Sequence, residues 1–73
     1  MKSQSIVTFP NRGNVYYSQG KYAMAISDYN EAVRLEPNYA PAYKNRGNAY
    51  LRVRNRHKAD ADLAMAARLH GPQ

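Results

Sequence analysis

The stretch Asn11–Tyr29, NRGNVYYSQGKYAMAISDY, returns in altered form as Asn45–Leu63, NRGNAYLRVRNRHKADADL. The two stretches begin 34 residues apart, and the likeness continues beyond the shared NRGN. At this offset the chain pairs Tyr16 with Tyr50, Ala25 with Ala59, Asp28 with Asp62, Ala32 with Ala66, Arg34 with Arg68, and Leu35 with Leu69. Such self-similarity is typical of repeat proteins, so the 73-residue chain is predicted to hold two copies of one structural unit.

Each copy has the residue spacing of two helices joined by a turn. Apolar residues recur every three or four positions, Gly20 interrupts the first copy, and Pro37 with Asn38 separates the copies. We expect Thr8 to cap the first helix, with Pro10 in its first turn, and Pro41 to fit the first turn of a later helix. The pattern predicts an all-α fold.

Glycine recurs inside the first helix of both copies, as Gly13 and Gly47. Glycine within a helix costs about 1 kcal/mol relative to alanine, which indicates close approach by a facing helix. The preceding arginine of each NRGN is expected to lay its stem over the hairpin while its head reaches water. Arg54 stands at the repeat position of Gly20. If the turn needs a left-handed residue, either Arg54 or Asn55 must adopt that conformation, and for arginine the backbone strain costs about 1 kcal/mol.

The whole pattern resembles the tetratricopeptide repeat family, whose 34-residue units read W-x2-L-G-x2-Y, A-x3-F and P. The first copy reads Phe9-x2-Arg12-Gly13-x2-Tyr16, Ala25-x3-Tyr29 and Pro37; the second reads Tyr43-x2-Arg46-Gly47-x2-Tyr50 and Ala59-x3-Leu63, with Gly71 at the proline position. The resemblance implies two tandem helix-turn-helix hairpins in a short right-handed α-solenoid. It implies one domain over residues 1–73, with a leader (1–7), repeat 1 (6–39) and repeat 2 (40–73).

The same resemblance implies a non-catalytic module that binds a peptide or protein segment in a groove lined by the first helix of each repeat. By repeat position, the groove residues are Asn11, Asn14, Tyr17 and Ser18 in repeat 1, and Lys44, Asn45, Asn48, Leu51 and Arg52 in repeat 2. Asparagines one turn apart can hydrogen-bond the backbone of an extended peptide.

Some family members hold the C-terminal carboxylate of a partner with lysines, an arginine and two asparagines. The resemblance matches Asn14 and Asn45 to those asparagines. Pro10 stands at the first lysine position, and the last two basic positions would belong to a third repeat. A complete carboxylate clamp is therefore not expected from these two repeats.

The net charge of +6 is uneven, with +1 in residues 1–36 and +5 in residues 37–73. The excess comes from a basic patch of Arg52, Arg54, Arg56 and Lys58. An acidic protein partner and a merely solvated turn are the two main interpretations. A basic adaptor contacting nucleic acid is less favoured, because the run lacks the interleaved aromatic residues that stack on bases.

Two repeats are fewer than the three that usually give a stable array, so the last helix is expected to present an uncovered face. Leu63, Ala64 and Ala67 are the candidate residues of that face. The three interpretations are a self-assembling homo-oligomer, including a hairpin-swapped one, completion by a partner, and membership of a longer array. We favour the first two equally, because the uncovered face demands some cover.

Nothing in the sequence predicts an enzyme, a cofactor or a metal site. His57, Asp60 and Asp62 do not share one helical face, and Asp60 is expected in a first turn, where the helix dipole favours a carboxylate. The chain has no cysteine, and neither a membrane span nor a signal peptide is predicted. The expected localisation is therefore cytoplasmic by default.

Overall fold

The computed structural model of the chain describes residues 5–70, with side chains given for residues 11–69. These residues form four helices and no strand: α1 (Ser5–Ser18), α2 (Tyr22–Leu35), α3 (Ala40–Arg52) and α4 (Arg56–His70). Helix α1 packs on α2 and α3 packs on α4, while α2 contacts α3 and joins the two hairpins. The predicted all-α fold of two tandem hairpins is confirmed.

The start of α1 differs from the prediction. The helix already includes Ser5, so Thr8 lies within it. An N-cap residue stands outside the helical backbone, and the predicted cap at Thr8 is therefore wrong. Pro10 is the sixth residue of α1, so its predicted place in the first turn is also wrong. The expectations for the side chain of Phe9 and for Gly71 lie outside the described residues. Pro41 does occupy the first turn of α3, as predicted.

The turns inside the two hairpins share one unusual conformation. Gly20 has φ of 79° and Arg54, 34 residues later, has φ of 64°. Arg54 itself therefore takes the left-handed conformation, and Asn55 has a different role. The Asn55 carboxamide oxygen accepts a hydrogen bond from the Lys58 amide at 3.3 Å, which caps the start of α4.

At the two helical glycines the facing helix approaches too closely to leave room for a Cβ. A Cβ added at Gly13 would lie 2.7 Å from a ring carbon of Tyr29, and one added at Gly47 would lie 2.9 Å from Cγ of Leu63. Tyr29 and Leu63 occupy equivalent positions in the repeat. Both glycines are therefore sockets for the large residue of the facing helix, as the sequence predicts.

The arginines of the two NRGN stretches bind aspartates of the facing helices. Each guanidinium makes a two-point ion pair with an aspartate of the facing helix, Arg12 with Asp28 and Arg46 with Asp62, at 2.7–2.9 Å. Both aspartates are buried. The prediction that the head reaches water is wrong for Arg46, whose side chain is 18% exposed, because the buried Asp62 carboxylate attracts it. The Arg12 side chain is 52% exposed, so its paired guanidinium still reaches water.

Candidate functional site

A cleft of about 200 Å³ lies where α1, α2 and α3 meet, and it gathers half of the polar side chains that the repeat pattern assigned to a groove. Its lining residues are Asn14, Tyr17, Tyr29, Asn45 and Asn48. Four of the nine predicted groove residues therefore share one cleft. Tyr29 is the addition: sequence reasoning treated it as a packing residue only.

Hydrogen bonds fix part of the cleft and leave part of it available. The side-chain oxygen of Asn14 accepts from the Tyr29 hydroxyl and from Nδ2 of Asn45, the latter at 3.2 Å. The Asn14 amide nitrogen and the Asn48 side chain make no hydrogen bond to another described residue. Asn14 is exposed, and the half-buried Asn48 has no buried side-chain nitrogen or oxygen that lacks a partner, so these groups are open to solvent or to a ligand.

Tyr29 gives the cleft a rigid floor. Its side chain is 1% exposed, and its ring fills the socket at Gly13. Burial, together with the charge of Asp28, raises the pKa of Tyr29 to about 12, so its hydroxyl is a neutral donor to Asn14 at physiological pH. The buried Tyr29 hydroxyl therefore acts as a fixed hydrogen-bond donor that orients the Asn14 side chain.

Arg52 connects the cleft to the end of α3. Its Nε donates to the Tyr17 hydroxyl at 3.1 Å, and its guanidinium carbon lies 5.8 Å from the centroid of the Tyr17 ring. The Tyr17 ring in turn packs edge-on against Tyr22 at 5.3 Å. Arginine stays protonated in proteins, so a positive charge stands beside Tyr17 of the cleft, and the hydrogen bond to Tyr17 raises the pKa of Arg52 further.

The other predicted groove residues are less closely gathered. Asn11 and Lys44 are exposed, and Leu51 is 42% exposed. The hydroxyl of Ser18 donates to the Val15 carbonyl of its own helix at 2.9 Å, so this group is already engaged. None of these four residues lines the cleft.

A second, wider depression of about 770 Å³ lies between α3 and α4. It is lined by Ala40, Pro41, Lys44, Asn45, Leu63, Ala66 and Ala67. Two of the three residues predicted for an uncovered face, Leu63 and Ala67, border it, whereas Ala64 is exposed outside it. Leu63 is half-buried, because it also fills the socket at Gly47.

All four residues of the basic patch are exposed. Arg56 lies 3.8 Å from Asp60, one turn along α4, so Asp60 forms an exposed ion pair with a neighbouring cation. Asp60 is the fifth residue of α4, so its predicted place in the first turn is wrong. The Lys58 ammonium lies 5.7 Å from the Tyr50 ring centroid. Arg52, Arg54 and Lys58 form no salt bridge within the described part of the chain.

Among the side chains of residues 11–69, no group of three or more histidine, cysteine, aspartate or glutamate residues is arranged to hold a metal ion. Within residues 5–70, no helix has the length and apolar character needed to cross a membrane.

Comparison with known proteins places these features in one family. A family model described as "TPR repeat" matches residues 13–53. RNA polymerase II-associated protein 3 of Homo sapiens is 32% identical over 68 residues, which is 93% of this chain and 10% of that relative. Stress-induced-phosphoprotein 1 of Caenorhabditis elegans is 36% identical over 59 residues, 81% of this chain and 18% of the relative.

Dynein axonemal assembly factor 4 of Rattus norvegicus is 36% identical over 62 residues, 85% of this chain and 15% of the relative. The chain thus spans less than a fifth of the length of these curated relatives. The repeat period, the paired hairpins, the glycine sockets and the matched family model agree, and the chain belongs to the tetratricopeptide (TPR) repeat family.

Proposed function

We propose that this chain is a non-catalytic protein–protein interaction module that binds an extended acidic peptide segment in the cleft between α1 and α3. The observation that carries the proposal is the convergence of Asn14, Asn45 and Asn48 on one cleft, with amide groups left unused. A carboxamide offers both donors and an acceptor, which suits the alternating groups of a peptide backbone.

The shape of the cleft favours a peptide over a small molecule. Its volume of about 200 Å³ is below the ~300–1,000 Å³ typical of small-ligand pockets. Its lining comes from both first helices, α1 and α3, so a bound segment would contact both repeats. These features support the recognition of an extended segment through its backbone, with neighbouring side chains lying outside the cleft.

The charges near the cleft favour an acidic segment. No acidic residue lines it, and Asp28 and Asp62 are already paired with arginines. Lys44 and Arg52 are exposed and form no salt bridge to a described residue. An acidic peptide would therefore meet uncompensated positive charge on the α3 side, which would speed association at low salt.

The proposal is tested by selecting a phage-displayed library of random nine-residue peptides on the chain. Aspartate and glutamate should be enriched in the bound peptides. Fluorescence anisotropy with one labelled selected peptide should then show affinity lowered about fivefold by Asn48→Ala, corresponding to about 1 kcal/mol for one lost hydrogen bond.

Asn38→Ala is the matched control, because Asn38 is an exposed asparagine in the α2–α3 turn that lines neither depression. Its affinity should equal that of the parent. Enrichment of basic or purely apolar peptides, or equal effects of the two alanine variants, would contradict the proposal.

A further inference from the structure

The depression between α3 and α4 corresponds, 34 residues along the chain, to the surface that α3 covers on the first hairpin. Leu63, Ala66 and Ala67 stand where Tyr29, Ala32 and Val33 stand in repeat 1. Tyr29 and Ala32 are 1% and 0% exposed, whereas Ala66 is 8% exposed, Leu63 is half-buried and Ala67 is exposed. In the described part of the chain, α4 packs on α3 alone, so this surface has no covering helix.

We propose that a second copy of this chain docks here head to tail. The α1 of the second copy would lie on α3 and α4 of the first copy, in the way that α3 lies on α1 and α2 within one chain. Within one chain, the two hairpins pack against each other mainly through α2 and α3, and this packing is the internal joint. The contact between two molecules would repeat the internal joint. The docking surface borders the peptide cleft and shares Asn45 with it, but the argument for docking does not depend on the proposed function.

The side chains at the joint fit this arrangement in size. Ala49 of α3 is fully buried and shares a cluster with Ala25 and Tyr29 of α2. Its counterpart in α1 is Val15, which is 52% exposed, and the counterpart of Tyr29 is Leu63. A larger residue on the docking helix would therefore meet a smaller one on the receiving surface, which conserves the packed volume.

A polar contact of the internal joint also has an available counterpart. Nδ2 of Asn45 donates to Oδ1 of Asn14 across the joint at 3.2 Å. The equivalent residues are Asn11 of the docking copy and Asn48 of the receiving copy, and neither makes a side-chain hydrogen bond to a described residue. Docking would bring these two carboxamides together as donor and acceptor.

One internal contact would not be reproduced. Arg46 donates from Nη1 to the side-chain oxygen of Asn30 at 2.9 Å, and the counterpart of Asn30 is Ala64, which has no acceptor. Both copies also carry a net charge of +6. Association should therefore be weaker than the internal joint and should strengthen with added salt, which screens the repulsion.

A head-to-tail contact uses two different surfaces, so it can be blocked on either side separately. Val15→Glu removes the docking side chain, and Ala67→Arg obstructs the receiving surface; both residues are exposed, so helicity by circular dichroism should not change. Sedimentation equilibrium should show the parent mass rising with concentration up to about 1 mM, while each variant stays monomeric. An equimolar mixture of the two variants should form one-to-one pairs and nothing larger.

Ala23→Arg is the control, because Ala23 is exposed on α2. In the docked copy α2 would take the place that α4 has within one chain, and α4 makes no contact with the first hairpin. The substitution should therefore lie outside the contact between the two copies. This variant should associate like the parent. A monomeric parent throughout the concentration range, dimers of either single variant alone, or a monomeric mixture would each overturn the proposal. Dimers of Val15→Glu in particular would indicate a two-fold contact between α4 faces.

Discussion

At the scale of single residues, Tyr29 links the core of the first hairpin to the candidate site. Its ring is buried in the socket of Gly13, and its hydroxyl orients Asn14 in the cleft. The pKa of its hydroxyl rises from 10.0 to about 12, chiefly because burial disfavours the charged form. Tyr29 therefore packs the hairpin, orients Asn14, and has a raised pKa that can be followed by titration.

The raised pKa of Tyr29 predicts a loss of stability at alkaline pH. Between pH 10 and about 12 the unfolded chain releases the Tyr29 proton while the folded chain retains it. The contribution of Tyr29 to the free energy of unfolding is therefore complete below its pKa in the unfolded chain, and it is lost as pH rises through its pKa in the folded chain. Urea unfolding followed across this range should show the decline.

Tyr29→Phe provides the control for that titration. The tyrosinate absorbance step near pH 12 should disappear, and the free energy of unfolding at pH 7 should fall by about 1 kcal/mol through loss of the bond to Asn14. An unchanged alkaline titration in the phenylalanine variant would show that another group is responsible.

Arg54 predicts a stabilising substitution. It holds φ of 64° where the first repeat has Gly20, and a side chain in this conformation costs roughly 1 kcal/mol. Arg54→Gly should raise the free energy of unfolding by about 0.5–1 kcal/mol in urea titrations. Arg54→Gln removes the same charge without relieving the backbone and should give no gain; equal gains would assign the effect to charge instead.

At the scale of the helices, the pairing of Arg46 with Asp62 ties α3 to α4, while the Arg46 bond to Asn30 also reaches α2. Three helices thus converge on one guanidinium, whose pKa is raised chiefly by the hydrogen bond to Asp62. Its side chain is 18% exposed and that of Asp62 is 9% exposed, so both charges are largely removed from water.

Asp62→Ala should therefore be strongly destabilising, by roughly 2–4 kcal/mol, because it leaves a half-buried cation without its partner. Asp60→Ala removes the exposed carboxylate beside Arg56 and should cost about 0.5 kcal/mol or less. Urea midpoints of the two variants give the comparison. Replacing both Arg46 and Asp62 by leucine should recover much of the loss; equal costs for the two alanine variants would refute the assigned role.

These pairs also mark a limit of sequence reasoning. The period of 34 and the recurring glycines predicted the hairpins and their sockets, because each has a direct steric meaning. Arg12 and Asp28 are sixteen residues apart, as are Arg46 and Asp62, and that repeated separation was a usable signal. It was missed because the family pattern places leucine at the arginine position, and helical periodicity alone does not pair residues across a hairpin.

At the scale of the whole molecule, the two hairpins bring Asn14, Tyr17, Asn45 and Asn48 together, as the repeat register predicted. The register could not predict that the Ser18 hydroxyl bonds to its own helix, or that Tyr29 reaches the cleft, since both depend on side-chain direction. The cationic side chains without carboxylate partners among the described residues include Lys44 and Arg52 of α3, the helix that supplies two asparagines of the cleft. The stacked hairpins thus combine a polar cleft with positive charge along one helix.

The most direct test of the account is an NMR titration of the isotopically labelled chain with a selected acidic peptide, observing the side-chain amide groups of asparagine. Resonances of Asn14, Asn45 and Asn48 should shift together and saturate at one peptide concentration, while that of Asn38 should stay in place. Shifts confined to residues of the basic patch, or shifts of Asn38 equal to those of the cleft asparagines, would contradict binding in the cleft between α1 and α3.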